Sequence, residues 1–280
     1  MRSSIEPGRL AAGALWMVLA GTAAAQAQPA AAPGATPAST PEAARQARAR
    51  TVLMNMARFL ANTPRFQVSL RSGYDVVQPS GQKIAFHEDR LVTLSRPNRL
   101  RIEGTRSDGA KVLTVFTGKE IVLLDYASKV YAQAPQPGGL DQTIVYFVRD
   151  LGMRLPLAAM LLARLPAELE ERVRSVDYVE LTAVDGIPAH HIAARTDTVD
   201  VQLWVTDGAQ PLPRRVVLTY KNEPGQPQFS AEFAKWNLSP AIEDALFAAQ
   251  RPKELQKVAF AGELARMSPP PKTPPAKGVK

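Results

Sequence analysis

The hydrophobic period of this chain changes abruptly at Pro64, and that change limits the fold more than any other feature. Over residues 45–60 (RQARARTVLMNMARFL) the apolar side chains of Val52, Leu53, Met56, Phe59 and Leu60 recur at helical spacing, opposite Arg45, Arg48, Asn55 and Arg58. Asn62-Thr63-Pro64 ends that helix, because proline has no amide hydrogen with which to continue the ladder. Over residues 65–77 the period becomes two: Phe66, Val68, Leu70, Ser72, Tyr74 and Val76 alternate with Gln67, Ser69, Arg71, Gly73 and Asp75. Alternation of this length requires a long strand with one wet face, and therefore an antiparallel sheet.

The rest of the chain keeps to that plan. Pro79-Ser80-Gly81 turns the backbone and residues 83–95 return as a second strand. The apolar set of this strand (Ile84, Phe86, Val92, Leu94) is interrupted on the same face by Glu88 and Arg90, which either pair or sit where the face is open to water. Residues 99–104, 111–117, 120–126 and 129–133 continue the meander until the break at 135–139. Residues 140–151 and 156–164 then place Ile144, Phe147, Val148, Leu151, Leu157, Met160 and Leu161 at helical spacing, and residues 166–173 form a further short, charged helix. Strands resume at 174–184, 189–195, 199–205, 214–220 and 229–238. Helix, about six strands, helices, about five strands is an α+β order. It predicts one curved antiparallel sheet, an incomplete barrel with a helical lid on its concave face.

The ends of the chain carry the cellular destination. Arg2 and Arg9 make a positive start despite Glu6, residues 10–25 (LAAGALWMVLAGTAAA) are almost without polar side chains, and Ala25-Gln26-Ala27 is a small-residue cleavage pattern. A stable span wants ~20 strongly apolar residues, and this run is shorter and rich in Ala and Gly. Residues 1–27 therefore read as a cleaved signal peptide for export to the periplasm. Residues 28–44 read as a disordered Pro/Ala linker and residues 268–280 (SPPPKTPPAKGVK) as a disordered basic tail, leaving one domain over 45–267. The chain has no cysteine, which excludes disulfides, thiolate metal sites, cysteine nucleophiles and lipid anchoring through an N-terminal cysteine. Removing Arg2, Arg9 and Glu6 takes the net charge from +8 to +7, and three of those positives (Lys272, Lys277, Lys280) lie in the tail. The folded part is only mildly basic, which argues against nucleic acid as a partner and permits weak attraction to an anionic membrane.

Several stretches resemble a known family. Residues 96–102 (RPNRLRI) and 116–126 (FTGKEIVLLDY) look like the strand entry and hairpin of the outer-membrane lipoprotein carrier LolA and its relatives. Residues 201–205 (VQLWV), 211–215 (PLPRR) and 229–240 (FSAEFAKWNLSP), then Phe247 before Pro252, resemble a family of predicted periplasmic proteins of unknown function, DUF2092, placed in the LolA-like superfamily. The resemblance implies an eleven-stranded half-barrel closed by a helical lid over an apolar cavity. It carries over no functional residue: Arg71 lies in the second half of the first strand, as the carrier's functional arginine does, but on the polar face.

The candidate site is therefore a surface. On the sheet it draws on Phe66, Val68, Leu70, Tyr74, Phe86, Leu100, Ile102 and Phe116, and on the lid Ile144, Phe147, Leu157, Met160 and Leu161. Each of these equally suits ordinary core packing. Trp236 reads as core or as part of an aromatic lining. His190 and His191 are neighbours on a strand and point to opposite faces, so they cannot share a metal. Ser72, Ser95 and Ser107 lie in no nucleophile elbow, and Gly138-Gly139 and Asp108-Gly109 are turn glycines without phosphate-loop spacing. Arg164, Arg172 and Arg174 with Glu168, Glu170 and Glu171 read as a solvated helix face. No catalytic group, metal or cofactor is expected. The expected ligand is hydrophobic, a lipid or the acyl chain of a lipoprotein, with transient contact to envelope membrane proteins. The alternative is an envelope protein-contact or stress-sensing module.

Overall fold

A computed structural model describes residues 40–263, so the signal-peptide reading and the basic tail lie outside the described residues. The first helix, α1 (Pro41–Asn62), begins four residues before position 45. The Thr40 hydroxyl accepts from the Ala43 amide at 3.2 Å, Pro41 occupies the first turn and Glu42 adds negative charge there. Thr-Pro-Glu is thus a helix start, and residues 41–44 are its first turn. At the other end the Thr63 hydroxyl donates to the Phe59 carbonyl at 2.7 Å.

Strands β1 (Arg65–Val77), β2 (Lys83–Ser95), β3 (Arg99–Arg106), β4 (Lys111–Phe116), β5 (Glu120–Asp125) and β6 (Val130–Pro135) form the first meander. Helices α2 (Leu140–Val145) and α3 (Leu165–Arg172) follow. Then come β7 (Ser175–Val184), β8 (Ile187–Arg195), β9 (Val199–Thr206), β10 (Pro213–Tyr220) and β11 (Gln228–Asn237), with a two-residue β12 (Gln256–Lys257). The sheet order is β12-β6-β5-β4-β3-β2-β1-β11-β10-β9-β8-β7, so pairing of β1 with β11 joins the two meanders into one open sheet. Among the described residues it has twelve strands rather than eleven; the extra one, β12, is also the only strand there that pairs in parallel, with β6.

One bulge matters for the site. Ser69 pairs with Lys235 but Leu70 pairs with Phe233, leaving Ala234 as an extra residue on β11. Phe233 and Trp236 are three residues apart, which a regular strand would send to opposite faces. The bulge brings their rings to a stacked 5.6 Å, with Phe66 5.3 Å from Trp236.

One face of the sheet is covered by α1, α2 and the segment that follows, and holds most of the core. The lid differs from a pair of helices. α2 widens into a π turn over Tyr146–Asp150, and residues 156–164 hold only a 3-10 turn, Ala158–Leu161, preceded by Leu157 at φ 63°. Pro156 lacks the amide a helix would need and steers Leu155 away from helical backbone, so the periodicity there does not become a helix. The opposite face at β4 and β5 is covered too. Leu113, Val115, Val122 and Leu124 are buried with Phe247 and Leu255 of the segment that follows β11 (residues 238–263, the strap), which explains why β5 reads as nearly continuous apolar sequence. The strap is held by ion pairs from Arg99 to Asp244 and Arg251 to Glu120. It rounds the sheet edge at β12 and ends on the first face, where Phe260 meets Phe147 at 6.2 Å and the Gly262 amide donates to the Leu151 carbonyl at 3.0 Å.

Candidate functional site

Between lid and sheet lies an apolar pocket. Of the candidates named from the sequence, Phe66, Val68 and Leu70 of β1, Ile102 of β3, and Leu157, Met160 and Leu161 of the lid line it. Leu60, Val92, Leu155, Pro156, Phe229, Phe233 and Trp236 complete the lining, and Arg90 is its one charged residue. The volume free for a ligand is only about 40 Å³. The remaining candidates lie elsewhere. Leu100, Phe116, Ile144 and Phe147 are core residues, Phe116 and Phe147 in edge-to-face contact at 5.4 Å. Tyr74 and Phe86 stack at 5.8 Å toward the end of the β1–β2 hairpin, where Phe86 remains 38% exposed because the helices do not reach it.

Where the apolar row on β2 is interrupted, Glu88 and Arg90 form an ion pair at 2.7 Å, their side chains 15% and 16% exposed. Neighbouring strands are built around it. The Ser72 hydroxyl, fully buried, donates to the Glu88 carbonyl at 3.0 Å. Gly104 faces Arg90 across β3, and a Cβ there would collide with the Glu88 carboxylate. Beyond the pair a wider recess of about 530 Å³ opens, bordered by Tyr74, Asp75, Glu88, Arg90, Val148, Arg154, Tyr220, Glu223 and Phe229. It shares Arg90, Leu155, Pro156 and Phe229 with the apolar pocket. Burial pushes the Tyr220 hydroxyl pKa up, as does the charge of Glu223, while Arg154 opposes both, so both charges act on this hydroxyl.

The lid touches the sheet through side chains and keeps its backbone bonds local. Ala158 donates to Leu155, Met160 to Leu157, Leu162 to Ala159 and Met153 to Phe147. Its far end is pinned by Asp141, whose carboxylate accepts from the Ala163 and Arg164 amides at 2.9 and 3.1 Å.

The other groups singled out in the sequence lie away from the pocket lining. His190 bridges the Tyr178 hydroxyl and Asp207 at 3.0 and 3.1 Å, and His191 stacks on Trp204 at 4.0 Å. Arg71 sits on the wet face beside Asp89. Glu168 is buried between Arg164 and Arg172, so that helix face is a packed ion-pair triad as well as a solvated surface.

Among curated proteins none matches the sequence significantly. Among solved structures, an uncharacterized conserved protein of Thermus thermophilus is 14% identical over 75% of this chain and 98% of its own, with a TM-score of 0.45. The lipoprotein LppX of Mycobacterium tuberculosis is 11% identical over 70% and 99%, at 0.42. A LolA superfamily protein of Nitrosomonas europaea is 11% identical over 72% and 97%, at 0.36. These scores add no argument to the geometry. The sequence model of DUF2092 matches residues 49–261, spanning both meanders, the lid and most of the strap: the chain belongs to this family of predicted periplasmic proteins.

Proposed function

We propose that this periplasmic protein is a non-catalytic carrier that holds an acyl chain, of a lipid or a lipidated protein, between lid and sheet. The observation that carries the reading is a pocket lined from both meanders and the lid by apolar side chains with a single charge at its mouth. Ligand pockets run to roughly 300–1,000 Å³, far above the 40 Å³ here, so the carrier reading requires the lid to open. Opening displaces Leu157, Met160 and Leu161 outward, and local backbone bonding lets that segment move without breaking sheet hydrogen bonds.

The experiment is purification without detergent, followed by lipid extraction and titration with a fluorescent fatty-acid probe. A co-purifying lipid, or saturable probe binding abolished by Met160→Glu, is the expected result. Absence of both refutes the carrier reading. A second reading, a protein-contact module, draws on the open edge strand β7, where Val179 and Leu181 are 46% and 53% exposed. It predicts an envelope partner whose binding is lost in Leu181→Glu and kept in Met160→Glu.

A further inference from the structure

We infer that the recess beyond the Glu88–Arg90 pair is a headgroup site for a zwitterionic, phosphate–ammonium amphiphile whose chain enters the apolar pocket. This rests on the carrier reading and adds the ligand class. Three observations point the same way.

The recess adjoins the pocket. Arg90, Leu155, Pro156 and Phe229 border both, so a molecule with its tail under the lid has this recess next to its polar end. The tail of such a ligand meets one charged side chain, and its head meets five: Arg90, Arg154, Asp75, Glu88 and Glu223.

Those charges are of both signs. An anion site collects cations and excludes carboxylates; this one interleaves two arginines with three carboxylates, of which Asp75 has Lys83 at 3.9 Å and Glu88 has Arg90. Among the described residues Arg154 and Glu223 have no ion-pair partner, although both border the recess and act on Tyr220. A lone cation and a lone carboxylate around one half-buried tyrosine match the two ends of a phosphate–ammonium group. Arg154, with Arg90 behind it, takes the phosphate through charge-assisted hydrogen bonds. Glu223 takes the ammonium.

The recess is also aromatic. Tyr74, stacked on Phe86, and Tyr220 border it. Ring faces attract ammonium groups and give nothing comparable to a glycerol or a bare carboxylate.

The test uses the mature chain and three ligands with one identical acyl chain: lysophosphatidylethanolamine, lysophosphatidylglycerol and the uncharged monoacylglycerol, each competed against the fluorescent probe. The zwitterion is expected to bind roughly tenfold tighter than either other ligand, since a charge-assisted bond is worth at least that factor. Arg154→Ala should bring the zwitterion close to the monoacylglycerol. Glu223→Lys should reverse the order, with the anionic lipid tightest. Both positions are exposed, so folding is not at issue, and Arg174→Ala on the far edge is the control. Equal affinities for all three ligands, or an anionic preference in the unsubstituted protein, overturn the headgroup site while leaving the carrier reading intact. Failure of all three to bind overturns both.

Discussion

Asp141 is the pin at the far end of the lid, and removing it should loosen the lid more than the protein. Its carboxylate accepts from the Ala163 and Arg164 amides and lies 4.0 Å from the Arg96 guanidinium, which is 14% exposed. Burial lowers the Arg96 pKa, and the charge of Asp141 offsets only part of that. Hydrogen bonds to a charged group contribute about 1.5–3 kcal/mol each where water is excluded. Here water can reach both amides, which puts each at the low end. Arg96 keeps its bonds to the Thr63 and Leu60 carbonyls, so losing its carboxylate adds less than a fully buried pair would. Asp141 also lies in the first turn of α2, where a negative charge is favoured by roughly 0.3–1 kcal/mol. Asp141→Ala should therefore cost about 3–4 kcal/mol in urea unfolding with an unchanged m-value, and Asp141→Asn, which keeps one acceptor, about half of that. The fatty-acid probe should associate several-fold faster with Asp141→Ala, because the closed lid now opens more often. Stability within about 0.5 kcal/mol of the parent, together with an unchanged association rate, would refute the assignment of Asp141 as the pin.

Phe147→Ala should cost about 3–5 kcal/mol, because it empties the junction where Phe116 and Phe260 meet the same ring; chemical denaturation reads this directly. In Gly262→Ala the added Cβ would strike the backbone at Asp150 and Leu151, which no rotamer change relieves, and the overpacking should cost about 1–3 kcal/mol. Hydrogen exchange at the amide of position 262, which donates to the Leu151 carbonyl, should be faster in that variant than in the parent. Burial alone would raise the pKa of Asp125, but donors from the Ser128 backbone and hydroxyl and from Arg106 outweigh it and hold the carboxyl below its usual range. A depressed folded pKa means stability present above the unfolded value of about 3.9 and lost as pH falls through the folded one; urea midpoints at pH 6 and pH 3 should differ less in Asp125→Asn than in the parent. Finally, Glu88→Leu with Arg90→Met together should be neutral or stabilising, whereas Arg90→Met alone should destabilise by leaving Glu88 unpaired. A double variant as unstable as the summed singles would contradict that.

The period change at Pro64 carried much of the fold. From Phe66 to Ser72 the even residues of β1 are buried and the odd ones half-buried or exposed, because burial on one side is what creates alternation; toward the hairpin end the contrast fades and Val76 is exposed. Three features were not legible, each for a physical reason. Pairing of β1 with β11 closes a loop of well over a hundred residues, and no local pattern encodes a contact of that range. The lid periodicity was real, yet Pro156 and the left-handed Leu157 turned it into a 3-10 turn with its side chains still facing the sheet. The strap lacks long regular elements of its own. Its signal was indirect: the unbroken apolar run in β5 needs cover on both faces, and Phe247 and Leu255 supply it.

The site shows the same division between local and distant information. Phe66, Val68, Leu70 and Ile102 lie where alternation puts them, and Trp236 reads from the sequence as core or aromatic lining; Phe229 and Phe233 come to the pocket through the long-range pairing of β1 with β11, and only Trp236 needs the bulge to join them. Phe86 obeyed the alternation and still left the pocket, since the hairpin runs past the helices that would cover it. The most informative residues broke the pattern. An ion pair set into an apolar row costs desolvation that an aliphatic pair would avoid, and the neighbouring strands supply Gly104 and Ser72 to accommodate it. A sequence that only had to fold would place aliphatic side chains at both positions. Glu88 and Arg90 instead mark where the apolar pocket ends and a polar recess begins, a boundary of use to a ligand with two chemically different ends.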